Sequence, residues 1–348
     1  MSTEVTVQDN PLNSDDLIQV NPTTCMFWGV GGTGINQMRS YRSDQPKNQS
    51  QLAIEKFAYI DTSLSNLPGV AKADTYILNE GRGLGKDQKE GDAIFEKEMP
   101  AIMSQFNQPG DTNVVFFGLS GGTGSTGGRK LVKRLVQEGH NVVAIVTADF
   151  TSDRSTANAL ATMLNLEMDL KDLETPYAVV YAANDPTKSF IANNTRQMFM
   201  ARMASMLGSG KNAHLDRSDV FSFFHYPKVS RFQPALCLLE VFTSAEELKK
   251  ASEKNVIFSY AALMKSTSEP TPQLEGEPGY DTVGYLPEEG KAFENSFMYT
   301  LSASRMAPII ADLRQRLANF RKKTEVVATV TSLVDDKVER PEGGSVYL

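Results

Sequence analysis

The sequence predicts an α/β protein built on a parallel sheet, with a long central helix and a smaller α+β unit after it. Three observations carry this expectation. Short apolar runs alternate with amphipathic stretches from about residue 24 to 150. Two glycine-rich segments each lie between an apolar run and a helical pattern, and the chain changes character after about residue 210. Strands that alternate with helices imply a parallel sheet covered on both faces.

The elements follow in order. Residues 24–30 (TCMFWGV) read as a strand, 31–42 as a helix and 56–62 (KFAYIDT) as a second strand. A short run at 73–79 leads into the polar loop 80–92, then a helix with Phe95, Met99, Ile102 and Met103 on one face. A strand at 113–119 precedes the loop SGGTGSTGG, which opens a helix carrying Leu131, Leu135 and Val136. The strand 141–150, a helix over about 154–173 and the strand 177–185 complete the alternation. A long helix is expected over about 187–208, stopped by the glycines of GSGKN. Beyond it, 234–243 and 259–264 are apolar runs, 269–290 reads as a Pro/Glu/Gly-rich loop, 302–323 as a helix and 324–334 (TEVVATVTSLV) as a strand.

Composition removes several classes of function. The chain has 348 residues, 41% hydrophobic and 22% charged, enough for one large core or two medium ones. A net charge of −7 argues against an intrinsic grip on nucleic acid or an anionic membrane. Two cysteines, Cys25 and Cys237, lie far apart in apolar runs and read as buried thiols, and three histidines give no metal-ligand cluster. Residues 1–22 lack the basic and apolar regions of a secretory signal, and no apolar run approaches the roughly 20 residues of a membrane helix. A soluble, cytoplasmic protein is expected.

The chemistry concentrates in the glycine loops. GVGGTGIN (29–36) and GLSGGTGSTGG (118–128) each follow a strand and open a helix. Glycine brings backbone N–H groups close to a ligand, and a helix N-terminus adds partial positive charge, so phosphate fits there. Either loop alone could be an ordinary tight turn. Neither is a Walker A motif, since no Gly-Lys-Ser/Thr follows. Gly29, Gly31 and Gly34 satisfy G-x-G-x-x-G with Asp61 ending the next strand, so an NAD-dependent oxidoreductase with a Rossmann domain is a rival reading.

The second loop, SGGTGSTGG, resembles the signature loop of the tubulin/FtsZ GTPase superfamily, and the resemblance extends along the chain in order. It implies a Rossmann-like GTPase domain that binds GTP or GDP with Mg²⁺. Gly31, Gly32, Thr33 and Asn36 resemble that family's first nucleotide loop, Asp61 and Thr62 its second, and Gly83, Leu84 and Gly85 its γ-phosphate-sensing third. Gly121, Gly122, Thr123, Gly124 and Ser125 fall in the signature loop, and Asp153 where the family places an acidic ribose contact. Asn184 resembles the asparagine that reads the guanine edge. Asn194, with Asn193 as a close competitor, resembles the second base reader in the central helix. Phe190, one helical turn before Asn194, is a candidate to stack on the base or simply a core aromatic.

Downstream, NAHLDRSDVFSFF resembles the superfamily's catalytic loop, with Asp216 and Asp219 as its acids and His214 where an asparagine is usual. Without the resemblance, Asp216 reads as a helix cap. The family's acids act in the nucleotide pocket of the next subunit, so the resemblance implies head-to-tail filaments and hydrolysis at the subunit interface. The short spacing from Asn184 to Asn194 is similar to the divergent tubulins of bacteriophages and plasmids, of the PhuZ and TubZ type. Those proteins imply a host-cytoplasmic filament that positions DNA or phage particles, with a cargo adaptor as a possible partner. The expected organisation is a polar arm at 1–22, a GTP-binding domain at 23–186, a central helix at 187–210 and a catalytic loop with its helix at 211–228. A C-terminal unit at 229–334 and a flexible tail at 335–348 follow. A non-hydrolysing scaffold of the same fold is a further alternative, motivated by His214.

Overall fold

The computed structural model describes residues 23–43, 54–184, 190–209, 215–286 and 294–328. The first half alternates as expected: β1 (Thr24–Val30), α1 (Gly31–Ser43), β2 (Ile54–Asp61), β3 (Thr75–Ile77), α2 (Gln88–Gln105) and β4 (Thr112–Gly118). A π-helical turn at Gly124–Gly128 runs into α3 (Arg129–Gln137), followed by β5 (Asn141–Asp149), α4 (Asp153–Asp169), β6 (Tyr177–Asn184) and the central α5 (Phe190–Leu207). The remainder comprises α6 (Arg217–Phe224), β7 (Leu236–Phe242), α7 (Ala245–Ser252), β8 (Ser259–Met264), β9 (Tyr280–Tyr285), β10 (Phe297–Ser302) and α8 (Met306–Ala328).

The ten strands among the described residues form one sheet in the order β3-β2-β1-β4-β5-β6-β7-β10-β8-β9. Every pairing from β3 through β7 is parallel, and β10 runs antiparallel to both β7 and β8. Period-two alternation divides the core between the faces. Cys25 and Phe27 of β1 join Ile35 of α1, Met198 of α5 and Phe223 of α6 on one side. Met26 and Trp28 join Phe95 of α2, Leu131 of α3, Met163 of α4 and Leu313 of α8 on the other. A sheet buried on both faces explains why β4 is buried at every position and reads as an unbroken apolar run. Both cysteines are free and buried, as their apolar settings predicted.

The strands of the C-terminal unit extend the first sheet through the parallel pairing of β6 with β7. The unit departs from expectation in three places. The strand expected at 324–334 is contradicted over its first five residues, because α8 continues to Ala328, and the rest lies outside the described residues. Extending an existing helix adds a hydrogen bond per residue without a new nucleus, which outweighs the β preference of Val326 and Val327. The helix expected from 302 begins at Met306, because Ser302 closes β10. β9 lies inside the segment read as a loop, where Gly279 and Gly284 hid the pattern. No helix among the described residues is long and apolar enough to cross a membrane.

Candidate functional site

The sheet order reverses between β1 and β4, so the connections leaving these neighbours diverge and open a crevice at the carboxyl edge. Both glycine loops leave from here. Gly31 has φ +70°, and a methyl group on it would lie 2.7 Å from the backbone nitrogen of Gly124, so the two loops meet backbone to backbone. A methyl on Gly34 would run into the carbonyl oxygen of Phe116, which is why α1 can lie so close to β4. β2 delivers Asp61 and Thr62 beside them, and the Gly83 N–H donates to the Thr62 carbonyl at 2.5 Å, which brings the third loop in.

The four loops enclose a cavity of about 250 Å³. Gly31, Gly32 and Thr33 line it from the first loop and Asp61 and Thr62 from the second. Gly83, Leu84 and Gly85 line it from the third, and Gly121, Gly122, Thr123 and Gly124 from the signature loop. Ser63, which follows Asp61 and Thr62 in the second loop, and Gly118, which opens the stretch 118–128, line it as well, and Asn66 lines it from outside the segments the sequence singled out. The polar turn DTSLSN was the available signal for Asn66. Its Nδ2 donates to Asp61 Oδ2 at 2.7 Å, while the N–H groups of Thr62 and Ser63 donate to Asp61 Oδ1. Burial pushes the Asp61 carboxyl above its ordinary value, against those hydrogen bonds, which favour the charged form.

Among the described residues no lysine or arginine lines this cavity, and Asp61 is its one charged side chain. Attraction for an anion must come from backbone N–H groups and helix ends. Helices α2, α4, α6 and α7 are capped by the side chains of Asp87, Ser152, Asp216 and Ser244. The helix that begins in the signature loop at Gly124 has no side-chain cap, which leaves its first N–H groups for a ligand. Gly121 has open space where a side chain would stand. The Thr62 and Thr123 hydroxyls hydrogen-bond each other at 2.5 Å and lock the second loop to the fourth. Ser125 does not line the cavity: its hydroxyl donates back to the Gly121 and Gly122 carbonyls and braces the turn.

The remaining nucleotide candidates gather around the same edge without lining the cavity. Asp153 is exposed at the start of α4, beside a segment where Lys86 Nζ donates to Ser155 Oγ at 2.6 Å. Asn184 ends β6, and Asn193 Nδ2 donates to the Ala183 carbonyl at 2.6 Å, which ties the start of α5 to that strand. Asn194 is half-buried, Asn36 is exposed on α1, and the side chain of Phe190 lies outside what is described, as does His214. One turn below Asn194, Gln197 accepts from Gln37 Nε2 at 2.6 Å, so a buried amide pair joins α1 to α5.

Asp216 and Asp219 lie elsewhere. Asp216 caps α6, accepting from the Ser218 and Asp219 N–H groups, and Asp219 Oδ2 accepts in return from the Asp216 N–H at 3.1 Å, a capping box. The Ser218 hydroxyl, then the Asp219 N–H, hold the Asp216 carboxyl below its ordinary value, so it stays ionised. Arg217 pairs with Asp111 at 3.6 Å, and Asp111 accepts from the N–H of Thr24, the first residue of β1. The acids therefore sit at the amino edge of the sheet. The seven residues of β1, roughly 20 Å of strand, separate the two edges.

No protein-family model matches the chain. It is 27% identical over 206 residues to a phage tubulin-like protein of Pseudomonas phage PhiPA3, covering 59% of this chain and 65% of that one. It is 29% identical over 189 residues to a phage tubulin-like protein of Pseudomonas phage phiKZ, covering 50% and 57%. The matches thus span less than two thirds of either curated relative. Among solved structures, the protofilament of TubZ from bacteriophage PhiKZ superposes with a TM-score of 0.76 at 22% identity, over 93% of this chain and 99% of that one. The chain has the phage-tubulin fold. The GDP form of the phage tubulin PhuZ agrees, with a TM-score of 0.78 at 19% identity over the same shares. In this fold the four loops that line the cavity lie at one sheet edge and α6 at the other.

Proposed function

We propose that the chain is a GTPase that binds GTP with Mg²⁺ in the carboxyl-edge cavity and assembles head to tail into filaments. Asp216 and Asp219 of one subunit complete the nucleotide site of the next and orient the attacking water. The observation that carries this reading is the separation of parts. A cradle of glycine loops lies at one edge of the sheet and the Asp216/Asp219 pair at the opposite edge, too far apart to act within one subunit. A contact between the two edges is heterologous and does not close, so it propagates as a filament. The curated relatives bear the name phage tubulin-like, and one structural neighbour is a protofilament and another holds GDP.

In this reading the backbone N–H groups of Gly121 to Gly124 and the uncapped helix end hold the phosphates, and Asp61, which lines the cavity, would be the carboxylate available to a metal. Mg²⁺, held largely by the phosphates, would offset charge that this cavity has no cation to offset. Asn184 and Asn194 address the base, with Phe190 the candidate to stack on it, Asn36 belongs to the first nucleotide loop, and Asp153 addresses the ribose. The units at 23–186, 187–210, 211–228 and 229–334 divide these tasks, and the filament positions DNA or phage particles in a host cytoplasm.

Phosphate release and sedimentation across a protein dilution series test this reading. Turnover per subunit is expected to rise cooperatively as polymer forms, with Asp216→Asn and Asp219→Asn assembling but hydrolysing at least tenfold more slowly. Concentration-independent turnover without polymer would overturn it, and tight NAD binding without GTP binding would favour the oxidoreductase reading instead.

A further inference from the structure

The two acids of α6 are not equivalent. Asp219 Oδ2 is taken by the Asp216 N–H at 3.1 Å, and its Oδ1 accepts from the phenol of Tyr280 at 3.0 Å, so both oxygens are engaged. On Asp216, Oδ1 receives the Ser218 N–H, the Ser218 hydroxyl and the Asp219 N–H. Among the described residues Asp216 Oδ2 makes no such bond, and Asp216 is exposed while Asp219 is half-buried.

Tyr280 comes from a different part of the chain, at the start of β9. The preceding residue holds it in place: the Gly279 N–H donates to the Phe258 carbonyl at 3.0 Å, and a methyl on Gly279 would run into the ring of Phe232, itself stacked on Phe258 at 4.7 Å. Burial first, then the Asp219 carboxylate, push the Tyr280 phenol up to about 12, so it remains a donor. A carboxylate that accepts a fixed phenol on one oxygen and a backbone N–H on the other cannot rotate freely.

We propose that Tyr280 is a positioning residue for hydrolysis: it locks the Asp219 carboxylate so that the α6 turn presents the free Oδ2 of Asp216 to the neighbouring subunit's nucleotide. This inference rests on the trans-acting role proposed above for Asp216 and Asp219. Orientation of a reacting group is worth orders of magnitude in rate, and loss of one constraint reduces it without removing the group.

The test is a double-mutant cycle of Tyr280→Phe and Asp219→Ala, scored as phosphate release per sedimented subunit alongside the critical concentration for assembly. Normalising to polymer counts only folded, assembled protein. Tyr280→Phe is expected to slow turnover about tenfold while moving the critical concentration less than about twofold. In the Asp219→Ala background the same change is expected to have no further effect. Tyr280→Phe turning over like the unaltered chain, or slowing Asp219→Ala by the same factor, would overturn the proposal, as would a loss confined to assembly. If Asp219→Ala itself turned over normally, the catalytic reading of α6 would fall and this proposal with it. A slow Asp219→Ala beside a normal Tyr280→Phe sinks this proposal alone.

Discussion

At the scale of single residues, the glycines of the loop 118–128 do three different things under one letter. Gly121 stands in open space by the cavity, Gly124 meets Gly31 backbone to backbone, and Gly127 and Gly128 press against the rings of Phe95 and Phe117. Gly31→Ala is expected to abolish nucleotide binding and to cost about 1–3 kcal/mol of stability, because it adds a side chain at positive φ against Gly124. A fluorescent-nucleotide titration and a denaturant melt measure the two effects. His225 offers a pH test. It is fully buried and stacked on Phe221, with Thr175 at Nδ1 and, among the described residues, no hydrogen-bond partner for Nε2. Burial first, then Lys228, push it down to about 4 from 6.5. A lowered folded value means a stabilising contribution present above pH 6.5 and lost as the pH falls toward 4. The loss amounts to about 3 kcal/mol by linkage. Unfolding free energies at those two pH values should therefore converge in His225→Phe relative to the unaltered chain.

At the scale of elements, α1 and α5 carry Asn36 and Asn194 to the same edge, and the Gln37–Gln197 pair beneath them sets their spacing. Gln197 Nε2 also donates to Thr147 Oγ1 at 2.9 Å and to the Val146 carbonyl, so the pair is anchored on β5. Gln197→Leu removes the bond from Gln37 Nε2 and the two that Gln197 Nε2 makes to β5, leaves Gln37 with Thr147 Oγ1 alone, and should cost about 1–3 kcal/mol. Its effect on guanine-nucleotide affinity should exceed its effect on inorganic pyrophosphate, as competition titrations would read. The signature-loop helix makes a complementary case. Gly128→Ala forces a methyl into Phe117 on β4, and overpacking of this kind should cost about 1–3 kcal/mol in a denaturant melt. The sequence pattern showed that a helix opened here. It could not separate glycines that pack from glycines that face the cavity, because a residue without a side chain leaves no periodic signal.

At the scale of the whole molecule, the absence of lysine and arginine from the cavity lining among the described residues makes the proposed activity depend on an added cation. Chelating Mg²⁺ with EDTA should lower turnover and assembly together, with recovery when Mg²⁺ is restored, whereas a filament held by protein contacts alone would sediment unchanged. The order of motifs along the chain made the sheet, both glycine loops, Asp61 and the acids of α6 legible, because strand–loop–helix alternation is a local pattern written in short stretches. The C-terminal unit was less legible. Val and Thr at 324–327 favour a strand locally, yet they continue α8, and Tyr280 lay in a segment whose glycines and prolines read as loop.

The sequence by itself determined which segments become strands and helices in the first half and where the glycine-rich loops fall between them, since periodicity and glycine spacing act over a few residues. Only the tertiary structure decided that Gly31 touches Gly124, that four loops share one cavity while Asp216 and Asp219 face the opposite way, and that Tyr280 reaches Asp219 from 61 positions away. Those relations depend on strand order and on the β6–β7 pairing that continues the sheet, and strand order is set by long-range burial that no local pattern records.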